Sequence, residues 1–199
     1  MSTRREFMTK GLAATASMLL GRIAAAVTPA TPAPAAAQAA EKVIATGTLH
    51  SINVAPGGVP KKRVEMAEIT AAGVQGDKQN SEWHRKPTRA VTLLALATIK
   101  KMQQEGHPIA VGTTGENLTV DGIANEVLKP GVKVKVGAAV VLEVALYLPP
   151  CGTIKQSFKE GDVNRISQDK HPGDARVGAR VLAPGRVKIG DPVVVLGKA

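Results

Sequence analysis

The sequence predicts a mainly β, barrel-like domain with one or two short α-helices. Short apolar, β-branched segments recur from residue 43 to residue 196. Glycine and proline, 20 and 13 of them in 199 residues, separate these segments with turns. Only residues 96–105 and 153–158 read as helical, and no internal repeat organises the chain. Many short strands at turn-punctuated spacing point to a sheet closed on itself. Residues 1–39 read as a targeting segment and linker, and residues 40–199 as one domain long enough to bury a core.

Residues 43–54 alternate loosely and form the first expected strand. Pro56-Gly57-Gly58-Val59-Pro60 turns the chain into a second strand over residues 63–69. Residues 73–88 are polar and without period, and a loop of that length inside a compact domain is usually functional. Residues 90–95 read as a buried strand, passing into a helix that Gly106 stops near Glu105. Gly112-Thr113-Thr114-Gly115 turns the chain into Glu116-Asn117-Leu118-Thr119-Val120. Strands at residues 132–136 and 139–146 follow, separated by Gly137. After the short helix at residues 153–158, the polar residues 159–174 read as a flexible excursion. A strand over residues 177–182, a turn at Pro184-Gly185 and a strand through Asp191-Pro192-Val193-Val194-Val195 complete the set.

The chain carries 26 basic and 16 acidic residues. Arg4, Arg5, Lys10, Arg22 and Glu6 belong to the first 39, so most of the excess stays with the domain and favours anionic partners. The basic residues are dispersed, and Trp83, Tyr147 and Phe158 are the only aromatics after residue 39. That excludes a stacking platform for nucleic acid and leaves a small-molecule substrate as the expected partner. Thr3-Arg4-Arg5-Glu6-Phe7-Met8 resembles the twin-arginine export motif. The weakly hydrophobic residues 11–27 contain Arg22, a poor transmembrane helix, and a Pro/Ala linker leads to a small-x-small site at Ala37-Gln38-Ala39. The resemblance implies periplasmic or otherwise exported localisation, no stable membrane span after cleavage, and a protein folded, often around a cofactor, before export.

Cys151 is the only cysteine, so it has no partner for an internal disulfide. Held between Pro150 and Gly152, it is a candidate for ligation or nucleophilic chemistry. His50, His84, His107 and His171 are scattered, and neither Cys-x-x-Cys nor His-Glu-x-x-His occurs, so zinc has no support. There is no Walker loop, dinucleotide fingerprint or Gly-x-Ser-x-Gly elbow. A cysteine hydrolase using His84 or His171 as base stays open, because such partners meet only in space.

One ordered set of motifs is more specific. Gly76-Asp77 is followed by Arg89-Ala90-Val91-Thr92-Leu93-Leu94, then Gly115-Glu116-Asn117-Leu118-Thr119-Val120-Asp121-Gly122, then Pro150-Cys151. Val177-Gly178-Ala179-Arg180-Val181-Leu182-Ala183-Pro184-Gly185 and Gly190-Asp191 close the series. In this order the chain resembles the MOSC domain family, named from the C-terminal domain of molybdenum cofactor sulfurases. The resemblance implies a β-barrel that binds molybdenum cofactor (molybdopterin). In it, Cys151 ligates molybdenum or carries transferable sulfur, as soft thiolate chemistry allows. Arg89 would grip the anionic part of the cofactor. Asn117 offers donor and acceptor to a pterin edge or the loop backbone, and Glu116 binds directly or organises the loop. Asp77 and His84 belong to the polar loop beside the site, with His84 as proton donor, and Arg176 closes over the ligand. The implied activity is an oxidoreductase reducing N-hydroxylated or related oxo substrates, fed by an electron-donor protein. The alternatives are a sulfur carrier using a Cys151 persulfide and a non-catalytic binding domain. One departure stands out. Where many members have a His-Gly-Gly-Pro-like stretch, this chain has Trp83-His84-Arg85-Lys86-Pro87-Thr88.

Overall fold

The computed structural model describes residues 41–79, 82 and 85–198. The expected signal at residues 1–39 and the candidate proton donor His84 lie outside the described residues. The chain runs through β1 (Glu41–Val54), β2 (Lys62–Val64), β3 (Met66–Thr70), β4 (Gly73–Val74) and β5 (Val91–Ala95) into α1 (Leu96–Gln104). Then come β6 (Leu118–Asp121), β7 (Lys133–Val136), β8 (Val140–Tyr147), β9 (Val177–Ala183), β10 (Gly185–Lys188) and β11 (Pro192–Lys198). Seven strands close a barrel in the order β11-β7-β8-β9-β5-β6-β1, with β1 pairing back onto β11 and β2 appended to β1. The fold is mainly β, as the sequence predicts.

The ladders are antiparallel except β5–β6, which is parallel. Parallel neighbours need a crossover, and α1 with the loop after it supplies one. The long β1 pairs β11 through Thr48, then β6 and β2. Register shifts between Val43 and Ala45 and between Leu49 and Ser51 let it bend while changing partners. β5 is buried along its whole length because it has apolar packing on both faces. Leu93 joins the barrel core with Leu118, Val134, Leu142 and Val195, whereas Leu94 joins a second cluster with Ile99, Met102, Ile154, Phe158 and Ile166.

Three expectations need correction. The strand expected over residues 63–69 is two strands, β2 on β1 and β3 in a small sheet with β10 and β4. The break falls at Glu65, whose carbonyl accepts from the Ile189 N–H, and apolar alternation carries no mark of such a corner. The turn expected at Pro184-Gly185 opens directly into β10, which pairs β3 from Gly185 to Lys188. The supposed flexible excursion, residues 159–174, is an ordered strap. It continues from a short 3-10 helix at Gly152–Ser157 through two more, Lys159–Gly161 and Val163–Ile166. Two of its charged residues, Arg165 and Asp174, are buried and paired. The Arg165 guanidinium donates to both Glu105 carboxylate oxygens at 2.5 and 2.7 Å and to Asp174 at 2.7 Å, and Lys101 Nζ adds a contact to Asp174 at 2.9 Å.

Candidate functional site

Loops that leave β1 and β8 and that lead into β5, β6 and β9 meet around a cavity of about 260 Å³. β8 and β9 are antiparallel neighbours joined by the strap, so the chain departs and returns at one place. Leu148 N–H donates to the Arg176 carbonyl at 2.8 Å across that gap. Pro149 and Pro150 have no N–H to extend the ladder, which turns the chain outward just before Cys151. Cys151 is therefore set at the start of the strap and Arg176 at its end, both lining the same cavity.

The Cys151 thiol is exposed. Its partial burial acts to raise the pKa, but the hydroxyl and backbone N–H of Thr153 and the charge of Arg176 outweigh it and hold the thiol below its ordinary value. Arg176 is only 8% exposed. Its Nη1 donates to the Thr114 carbonyl, while its Nε is buried without a partner. Burial pushes the guanidinium pKa down, and the nearby Glu116 and Cys151 oppose that shift. Gly115 holds a positive φ of 83° beside it, and a Cβ there would lie 3.0 Å from Val59, so glycine keeps this wall thin. Arg89 also lines the cavity, and among the described residues its guanidinium makes no hydrogen bond or ion pair.

Asp77, Glu116 and Asn117 do not line this cavity. They build the wall behind it. Asn117 Oδ1 accepts from the Thr92 N–H at 3.1 Å, and its Nδ2 donates to the Asn53 carbonyl at 3.2 Å and to Asp77 at 2.9 Å. Its amide is thus committed inside the protein. Glu116 accepts from the Gly112 N–H at 2.5 Å and the Thr114 hydroxyl at 2.7 Å, which ties the 112–116 turn together. Asp77 accepts from Ala55 N–H at 2.9 Å and from Lys61 Nζ at 2.6 Å.

Lys61 lines the cavity and escaped the sequence reading, as did Lys78, Gln79 and Thr153. Burial lowers the Lys61 pKa, partly offset by Asp77. Lys61 opens the run Lys61-Lys62-Arg63, which reads as a solvated basic stretch, and Lys78 and Gln79 lie in an aperiodic loop. Thr153 could have been found, because a hydroxyl two residues after a cysteine is placed for a local turn contact. His50, His107 and His171 do not line the cavity.

A sequence model of the MOSC domain matches residues 80–194, more than half of the chain. The chain belongs to the MOSC domain family. Solved structures similar to this MOSC domain include the YUAD protein of Bacillus subtilis, at 18% identity and a TM-score of 0.64, covering 81% of this chain and 100% of that one. YiiM from Escherichia coli is 22% identical with a TM-score of 0.56, covering 76% of this chain and 71% of that one. YiiM from Geobacillus stearothermophilus is 20% identical with a TM-score of 0.54, covering 76% and 75%. At such identities the likeness is one of fold. Comparison with curated proteins finds no match.

The family is known for binding molybdenum cofactor, and the cavity's own donors can be tested against that group. Among the described residues no cluster of three His, Cys, Asp or Glu side chains could hold a bare metal ion. One soft thiol, an unpaired Arg89 and the unpartnered Arg176 Nε instead suit a group that brings its own sulfur ligands and an anionic arm. The residues of this MOSC domain fit the group.

Proposed function

We propose that this MOSC domain binds molybdenum cofactor in the cavity through Cys151 and acts as an oxidoreductase on N-hydroxylated or related oxo substrates. The convergence of Cys151, Arg89 and Arg176 on one cavity carries the reading. Cys151 would supply the protein's thiolate to the metal, and the lowered thiol pKa favours the deprotonated form that ligation needs. Arg89 would hold the anionic arm, and Arg176 would donate through its free Nε. Asn117, Glu116 and Asp77 would keep the Thr92 and Gly115 wall and Lys61 in place. When bound, the group supplies oxygen-atom and two-electron transfer. His84 is the proposed proton donor, a separate protein the proposed electron source, and the twin-arginine-like segment the proposed export address.

The test is metal and pterin analysis of protein purified from a molybdenum-replete host. Wild type should carry both, Cys151→Ser should lose most molybdenum, and Arg89→Gln should lose pterin as well. Wild-type protein without either would overturn the reading. The exposure of Cys151 also favours a second reading, a sulfur carrier with a persulfide on this thiol. An intact mass raised by one sulfur atom, without metal, would select it.

A further inference from the structure

We propose that the Cys151 cavity is also a thiol-exchange site selective for small anionic disulfides. An exposed cysteine alone is no site, but a second observation points to a ligand. Arg176 is 8% exposed, lines the same cavity, and keeps its Nε buried with no acceptor. A buried donor in that position calls for an acceptor from outside the protein. Four cationic side chains, Lys61, Lys78, Arg89 and Arg176, line the cavity, and no Asp or Glu among the described residues does. Carboxylates behind the wall answer two of them, Asp77 at Lys61 and Glu116 near Arg176. Lys78 and Arg89 have no such answer among the described residues. A concave site lined by one sign of charge concentrates the opposite sign at its mouth.

The exchange balances without a further reactant. The Cys151 thiolate attacks one sulfur of the incoming disulfide, whose S–S bond breaks as the new one forms. The displaced half leaves as a thiolate and takes a proton from water. Cys151 is oxidised and the displaced half reduced. Because the chain has no second cysteine, no internal thiol can resolve the product. The mixed disulfide persists until an external thiol reverses it. While it persists, Cys151 can neither ligate a metal nor accept sulfur, so the adduct would control loading of the site.

The experiment uses the full chain made in a host unable to synthesise molybdopterin, so its outcome does not depend on the cofactor reading. The protein is mixed at one pH with dithiodiglycolate, bis(hydroxyethyl) disulfide or cystamine, which are anionic, neutral and cationic. Adduct formation on Cys151 is followed by intact mass, and each rate is divided by that of free mercaptoethanol with the same probe. All probes meet the same thiol at the same pH, so its thiolate fraction cancels. The expected normalised rate is about tenfold higher for the anion than for the cation. The preference should shrink in high salt. It should also shrink in Lys78→Gln and in Arg89→Gln. Equal normalised rates, a faster cation, absence of an adduct, or a preference untouched by both substitutions would overturn the proposal.

Discussion

Thr153 lies two residues after Cys151, and its hydroxyl and backbone N–H both act to lower the thiol pKa. Replacing Thr153 with Val removes the hydroxyl contact and keeps the backbone one. The thiol pKa should then rise toward its ordinary value, with slower alkylation near neutral pH. A pH series of iodoacetamide rates on metal-free protein reads this directly, and an unmoved profile would remove Thr153 from the account. Asn117 tests the wall instead of the cavity. Asn117→Ala leaves the Thr92 N–H without its side-chain acceptor and removes one of the three donors to Asp77. A loss of about 1–3 kcal/mol is expected, read from urea unfolding. At this scale Cys151, Arg89 and Arg176 were legible because rare or charged residues sat inside ordered motifs. Lys61 was not, since its placement depends on Asp77, a contact 16 positions along the chain. The burial of Asn117 was equally hidden, because a polar amide reads alike whether it faces a ligand or its own backbone.

The strap between β8 and β9 owes its order to charges that look, in sequence, like a solvated loop. Arg165 is 8% exposed and shared between Glu105 at the end of α1 and Asp174 near the end of the strap. The hydrogen bond from Arg165 holds the Glu105 carboxyl below the ordinary carboxylate range. A depressed carboxylate contributes stability above its unfolded pKa, and that contribution fades as pH falls through the folded value. Wild type should therefore exceed Glu105→Gln in stability near neutral pH. The two should converge only in acid well below the ordinary carboxylate range, where Glu105 is protonated in the folded state as well. Urea midpoints across that range check it, and a gap that persists in acid would show that packing, not charge, is what Gln disturbs. Composition misread the strap because pairing across 60 positions leaves no local trace. The helix α1 and the buried β5 were legible, since glycine termination and an unbroken apolar run are local signals.

At the scale of the whole molecule, the barrel was legible in its strand count and turn spacing, but its closure was not. Pairing of β1 with β11, from Glu41 opposite Lys198 to Thr48 opposite Pro192, joins strands that sequence spacing sets far apart. Gly47 sits opposite Val193 in that seam, and a Cβ there would meet the Asp121 carbonyl at 2.1 Å. Gly47→Ala should cost about 1–3 kcal/mol by forcing β1 away from that carbonyl, seen as a lower urea midpoint. An unchanged midpoint would mean the seam yields without penalty. The seam also has a meaning in time. The ribosome completes Lys61, Arg89, Cys151 and Arg176 before it reaches β11, yet the ring that frames them lacks its last stave until that strand emerges. Nascent chains should therefore expose an unfinished site whose thiol reacts with little regard for charge. Selective chemistry at Cys151 would begin only once β11 has emerged and closed the ring.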